Sequence, residues 1–272
     1  MEISQFIAGP CGWDPVAPAK LRPLGIKSVS TWRSYSTAQF LIGSKPRVLD
    51  TCDLVDFPFD SVLHLELLPS NLASRLQSLR LQLATKRDIE NMGFDEVLCK
   101  SLHLMRVVPP LYGTVAGVCR SVHVLVASTK GYDISYSDPS LPFSIFVSCP
   151  TEEEPHRWER LAENILHEVL HLQLSLIERI QPLVADGAKE QKVFSPWKQE
   201  KRSIGGLLHA IYVFGNLRHF WSQVSCSSPD STAFAQARVD SINSEMRTAV
   251  GALESRCLTS AGRTLSDTFL HT

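Results

Sequence analysis

The stretch from Thr151 to Ile180 restricts the fold of this chain more than any other. From Trp158 onward, Leu161, Ala162, Ile165, Leu166, Val169, Leu170, Leu172, Leu176, Ile177 and Ile180 recur with helical period and cover a broad apolar face, which predicts a buried helix. Thr151 and Glu154 have capping-box spacing, Pro155 suits a first turn, and Glu152 to Glu154 complement the positive helix end, so the helix is expected to begin at Thr151. The polar residues Arg160, Asn164, His167, His171, Ser175 and Glu178 fall three or four apart and form one stripe along this apolar rod. Exposing the stripe fully would also expose the leucines beside it, so it is expected to line a cavity.

At the centre of the stripe stands His167-Glu168-Val169-Leu170-His171, an H-E-x-x-H. One helical turn separates the two imidazoles on one face, which allows both to reach a single metal ion about 2 Å from each nitrogen. A third ligand is sought downstream. Residues Ser203 to Trp221 read as a second apolar helix in which His209 is the polar exception, and with two ligands in place it is the candidate third. Gly205 and Gly206, one turn earlier, permit close approach of backbone or ligand. Arg202, seven residues before His209, is placed to hold a carboxylate by a bidentate pair.

The remainder supplies a scaffold. Residues 1 to 46 are rich in proline and lack sustained periodicity, and residues 47 to 69 suit either short extended pieces or a helix. Helices are expected from Ser70 through Leu83, from Asn91 to about Leu104, from Pro109 to Cys119, and from Ser231 to Cys257, with a short tail after it. Ser121 to Ala127 and Phe143 to Cys149 read as strands, with a long turn-rich loop from Lys130 to Pro142 between them. The second strand leads into the H-E-x-x-H helix, and its edge can pair with a peptide backbone. Residues 181 to 202 are expected to be loop or broken helix. The expected class is thus α+β and predominantly helical, with a metal site between the H-E-x-x-H helix and a second buried helix and a small β-element beside it. Residues 1–120 form an N-terminal irregular and helical lobe, a candidate for peptide recognition, packed as one compact unit with a catalytic region over 121–272.

Composition excludes several partners. Lys plus Arg is 27 and Asp plus Glu is 28, a net charge of −1, so nothing recruits nucleic acid or anionic lipid. Seven cysteines, odd in number and without C-x-x-C spacing, indicate reduced thiols. With no targeting pattern and no long apolar run, the expectation is a cytoplasmic protein that does not enter membranes.

An H-E-x-x-H first suggests a zinc peptidase with Glu168 activating a metal-bound water. The usual extensions are missing: Leu174 and Ile177 stand where one pattern needs glycine and histidine, and the second helix, Ile204 to Trp221, carries no acidic residue for the other. Imidazole suits iron, copper and zinc alike. Three protein ligands leave room for a bidentate cosubstrate whose far carboxylate an arginine can hold, which fits an Fe(II) oxygenase using 2-oxoglutarate and O2.

Three blocks also carry a resemblance. Tyr132–Val147 (YDISYSDPSLPFSIFV), Arg160–Ile177 (RLAENILHEVLHLQLSLI) and Ser195–Phe214 (SPWKQEKRSIGGLLHAIYVF) resemble, in the same order, the H-E-x-x-H peptide-modification family, described as 2-oxoglutarate-dependent β-hydroxylases of ribosomally made, post-translationally modified peptides. The resemblance implies His167, His171 and His209 as iron ligands and Arg202 as the cosubstrate anchor; Ser203 stands where the family often has proline. It further implies that a precursor peptide is hydroxylated at a β-carbon with release of succinate and CO2, and that Glu168 acts by orienting a ligand or water. Two other readings remain open: a Zn(II) hydrolase with Glu168 as general base, and a non-catalytic metal- or peptide-binding module.

Overall fold

The computed structural model describes residues 54–56, 63–66, 76–119, 121–127, 129–139, 141 and 143–270. Val122 and Val124 in Ser121–Leu125 (β3), and Ile145 and Val147 in Ser144–Ser148 (β5), fall at every second position, and both strands are buried throughout. They form the parallel centre of a five-stranded mixed sheet, flanked by Leu54–Asp56 (β1), His64–Glu66 (β2) and Ser135–Ser137 (β4) in the order β1-β2-β3-β5-β4. The outer pairs β1/β2 and β4/β5 are antiparallel, whereas β2 runs parallel to β3. Because side chains alternate across a strand, Val122, Val124, Ile145 and Val147 face the main core, while Leu125 and Phe146 face a smaller cluster with Leu76. His123 stacks on Phe146 at 4.6 Å on that second face.

Helices cover the main face. They are Lys86–Asn91 (α1), Phe94–Met105 (α2), Pro109–Val118 (α3), Arg157–Glu178 (α4), Ile204–Ser227 (α5), Thr232–Ala252 (α6) and Ser260–Leu270 (α7). The H-E-x-x-H helix α4 is the hub, packing on α2, α3, α5, β4 and β5. Its apolar face is shut from solvent from Leu161 to Ile177, as the spacing requires. A charged clasp adds direction to this packing. Glu163 of α4 accepts from the Trp221 indole N–H at 2.7 Å and from Arg238 Nε at 2.9 Å, joining α4 to α5 and α6. Hydrogen bonds to a charged group contribute about 1.5–3 kcal/mol each.

Several elements depart from the reading of the sequence. The helix starts at Arg157, six residues later than expected, after His156 in the left-handed conformation (φ 58°). Glu154 does accept from the Thr151 N–H at 2.7 Å, but it also takes the Gly131 N–H at 2.7 Å and Arg160 at 3.1 Å, so it ties a loop to the helix instead of capping it. The helix expected from Ser70 is a single described turn near Leu76, and Leu83 instead bridges to Leu125 as extended chain. The helix expected from Asn91 to about Leu104 is α2, which begins at Phe94 after Gly93 (φ 59°), and the short helix α1 precedes it. Part of the turn-rich loop is β4, stabilised by pairing with β5. Residues 181–202 contain a two-stranded hairpin, Lys192–Ser195 (β6) with Glu200–Ser203 (β7). The presumed tail is α7, whose Phe269 lies against Gly215 of α5 so closely that a Cβ there would stand 2.4 Å from the ring.

The chain is mixed α+β and mainly helical, as expected. Residues 1–46, the irregular segment, lie outside the described residues. Where the 1–120 region is described, its β2 pairs with β3 and its α2 packs on α4, so it shares one sheet and one core with the region after 121. Cys99, Cys119, Cys149, Cys226 and Cys257 are free thiols. Among the described residues, no helix is long and apolar enough to cross a membrane.

Candidate metal centre

The polar stripe of α4 faces β4 and a cavity. Near the helix start, Arg160 forms a bidentate pair with Asp133, 2.7 Å to each oxygen, which pins the approach to β4 against the helix. Two turns on, His167 and His171 place their Nε2 atoms 3.2 Å apart. Two imidazole nitrogens bound to one ion at about 2.1 Å, with about 100° between the bonds, stand about this far apart. The pair therefore fits one divalent ion.

His209 of α5 joins from the other side. Its Nδ1 lies 3.2 Å from His171 Nδ1, and its Nε2 lies 3.0 Å from Glu178 Oε2. The structure thus brings together His167, His171 and His209, the three histidines singled out in the sequence. It does not converge them, because His209 meets the edge of the His171 ring opposite the Nε2 that faces His167. Among the described residues no group of three His, Cys, Asp or Glu side chains encloses a metal position. A third bond from His209 requires its ring to turn toward the gap between the other two.

Glu168 points to the strand side. It is buried, with 5% exposure, and its Oε2 accepts from Ser137 Oγ at 2.6 Å, while Oε1 stands 4.0 Å from His167 Nε2. Burial depresses His171 to about 3, helped by the nearby His167. Burial likewise takes His167 to about 4, with Lys198 and Arg238 adding to the shift. Both rings are therefore neutral near pH 7, the form that binds metal.

Two chambers open onto these imidazoles. One, of about 330 Å³, is lined by Ser135, Tyr136, Ser137 and Pro139 with Glu168 and Ser175. The other, of about 390 Å³, is lined by Ser195, Trp197, Arg202, Gly206, Ala210 and Phe214. His167, His171, His209 and Lys198 belong to both. On the hairpin side Phe214 meets His167 edge-on at 5.3 Å and stacks on Trp197 at 4.8 Å, an apolar wall that limits water.

The strand side offers backbone groups. The Ser148 N–H donates to Ile134 C=O at 2.8 Å, and Ser135 pairs in register with Val147. Alternation in an antiparallel ladder then turns the N–H and C=O of Tyr136 toward β5 and those of Ser135 and Ser137 away from it. The expected peptide-pairing edge at Phe143–Cys149 is corrected here: β5 is enclosed by β3 and β4, and among the described residues β4 is the edge strand on this side of the sheet.

Arg202 lines the hairpin-side chamber but is 47% exposed and pairs with Glu200 at 2.7 Å. Ser203 caps α5 by accepting from the Gly206 N–H at 3.1 Å, which places Gly206 at the chamber wall. Sequence reasoning missed Ser137 and Lys198. Ser137 sat in a segment read as loop, and no spacing links Lys198 to the histidines. Glu178 was visible only as the last member of the stripe. No protein-family model matches this chain, and no curated protein matches it.

Proposed function

We propose that this chain is a non-haem Fe(II)- and 2-oxoglutarate-dependent oxygenase that hydroxylates a β-carbon of a ribosomally made precursor peptide in the cytoplasm. The observation that carries this reading is the pair of chambers meeting at the same imidazoles and at Lys198, one bordered by the edge strand β4 and the other by Arg202, Trp197 and Phe214. Such a division suits a reaction with two organic substrates. Bound Fe(II) would supply the redox chemistry by which O2 and 2-oxoglutarate are consumed, with release of succinate and CO2.

The residues of the chain divide the remaining work. His167 and His171 hold the ion as neutral imidazoles, and His209 completes the set once its ring turns inward. Arg202 and Lys198 face the hairpin-side chamber and anchor the far carboxylate of the cosubstrate. The outward backbone groups of Ser135 and Ser137 pair with an extended peptide and lay it across the imidazoles. Trp197 and Phe214 keep bulk water from the cosubstrate side. Ser137 holds Glu168 beside the pair.

One observation favours a second reading, a zinc hydrolase. Glu168 is buried next to His167 in the chamber that borders β4, where a general base for peptide cleavage would sit. The experiment that separates the two loads metal-free protein with Fe(II) without oxygen. It then adds O2, 2-oxoglutarate and a pool of random-sequence decapeptides, and measures succinate together with peptide masses. The oxygenase reading expects succinate that depends on Fe(II) and O2, and peptides that gain one oxygen atom. Shortened peptides formed without O2 or 2-oxoglutarate would establish the hydrolase instead.

A further inference from the structure

Lys198 sits at the tip of the β6–β7 hairpin, in the turn between Ser195 and Glu200, which pair in register. Its neighbours fix that tip. Trp197 stacks on Phe214 of α5 at 4.8 Å, and Gln199 takes the left-handed conformation (φ 52°) while its Nε2 donates to the Pro196 C=O. From there Lys198 lines the strand-side chamber of about 330 Å³ as well as the hairpin-side one, and among the described residues it is the one hairpin residue on the strand-side wall.

Most other donors of that chamber are already spent. A hydroxyl carries one hydrogen, and those of Ser137, Ser175 and Tyr136 go to Glu168 at 2.6 Å, to the His171 C=O at 2.9 Å and to Asp138 at 3.3 Å. Glu168, the other charged group of the wall, is 5% exposed and turned to Ser137. Lys198 has three N–H groups, is exposed, and has no hydrogen-bond or ion-pair partner among the described residues. A peptide laid on β4 encloses this ammonium and removes its water. An apolar side chain entering the chamber would leave the charge unpaired, which is costly, whereas a carboxylate supplies a charge-assisted bond. We propose that Lys198 is a specificity-determining residue: the peptide side chain admitted to the strand-side chamber is that of an aspartate or glutamate, paired through its carboxylate with the Lys198 ammonium.

This rests on the oxygenase reading and adds to it the class of residue that is modified. In aspartate the β-carbon is bonded directly to the carboxylate carbon, and in glutamate it is one carbon further, so pairing with Lys198 holds the β-carbon close to an ammonium that borders the imidazoles. With three donors Lys198 serves the cosubstrate carboxylate and the peptide carboxylate together. Arg202 does not share this role, because it lines only the hairpin-side chamber and pairs with Glu200. The preference is one of charge and not of shape: an amide or aliphatic side chain of the same length leaves Lys198 without a counter-charge.

The test divides a random-sequence decapeptide pool by its central residue, fixed as Asp, Glu, Asn, Leu or Lys, and measures retention of each pool on the immobilised full chain free of metal. Retention needs no catalysis. The Asp and Glu pools should be retained about 10-fold more than the Asn and Leu pools. Lys198→Ala should erase the preference, Lys198→Arg should keep it, and Lys198→Glu should turn it toward the Lys pool. Lys192→Ala, on the same hairpin but in neither chamber, should leave it unchanged. Lys198 is exposed, so these variants should fold, which circular dichroism checks. Equal retention of the acidic and amide pools, no retention of any pool, a preference that survives Lys198→Ala, or an equal loss in Lys192→Ala overturns the proposal. The same pools are then given to the Fe(II)-loaded protein with O2 and 2-oxoglutarate. An acidic preference in retention without succinate or oxygen gain upholds the role of Lys198 and overturns the oxygenase reading, and oxygen gain spread evenly over the pools does the reverse.

Discussion

Ser137 donates its hydroxyl hydrogen to Glu168 across 2.6 Å, joining strand β4 to the glutamate of the H-E-x-x-H helix. Ser137→Ala removes the donor from a carboxylate with 5% exposure, which should cost about 1–3 kcal/mol in urea unfolding. Glu168→Gln keeps an oxygen for Ser137 and should leave metal uptake intact. Under the oxygenase reading it retains succinate formation within about 10-fold, an outer-shell effect. Complete loss of turnover with full metal occupancy would favour Glu168 as a general base.

The two depressed histidines give the metal-free protein an acid-sensitive stability. His167 retains 24% of its side-chain surface, but that surface faces a confined chamber, so burial prevails. Folded His167 and His171 protonate only near about 4 and about 3, against an ordinary value of 6.5. The unfolded chain therefore binds more protons below 6.5, and stability falls as pH drops from there toward about 4. Urea midpoints taken across this range should decline, and His167→Gln should flatten the decline by one proton. A midpoint independent of pH in this window contradicts the burial of the pair.

The cationic side of the site should be separable from the peptide side. Arg202→Ala should raise the KM for 2-oxoglutarate about 10-fold, as loss of a charge-assisted contact does, with little change in the peptide requirement, whereas Lys198→Ala, at a residue lining both chambers, should raise both. Lys198 reaches both chambers, whereas Arg202 lines one and already pairs with Glu200, so Lys198→Ala should have the larger effect. Steady-state kinetics with each substrate varied in turn will decide, and a change confined to the peptide would reverse the assignment.

The C-terminal helix depends on one missing methyl group. In Gly215→Ala the new Cβ would meet Phe269 Cδ1 at 2.4 Å and Cγ at 2.9 Å, too close for a small ring shift to relieve. The expected cost is about 1–3 kcal/mol, with Phe269→Leu recovering part of it. Thermal unfolding measures the loss. A neutral Gly215→Ala would mean that α7 does not pack on α5 as described.

How far the sequence anticipated the site depends on the range of the interaction. His167 and His171 are one turn apart on one helix, so local period alone placed them together. His209 was found because a polar residue in the middle of an apolar helix demands a partner, and Glu178 and His171 are those partners. Ser137 and β4 were hidden, because a three-residue strand is stabilised by pairing with β5 and by the Arg160–Asp133 clamp, and its own residues read as turn. The start of α4 was misplaced for a related reason: Glu154 had capping spacing and does accept from the Thr151 N–H, but its carboxylate also takes the Gly131 N–H and Arg160 of α4, so it joins a loop to a helix that begins later. Arg202 was placed by helical period, yet it lies on β7 ahead of the helix, where it reaches Glu200.

The most direct test of the central claim is equilibrium dialysis of the metal-free protein, without oxygen, against Fe(II) with and without 2-oxoglutarate. The account predicts one iron per chain, one 2-oxoglutarate bound only when iron is present, and loss of both in His167→Ala and His171→Ala. Absence of stoichiometric iron in the wild type, or iron retained in full by both variants, would contradict it.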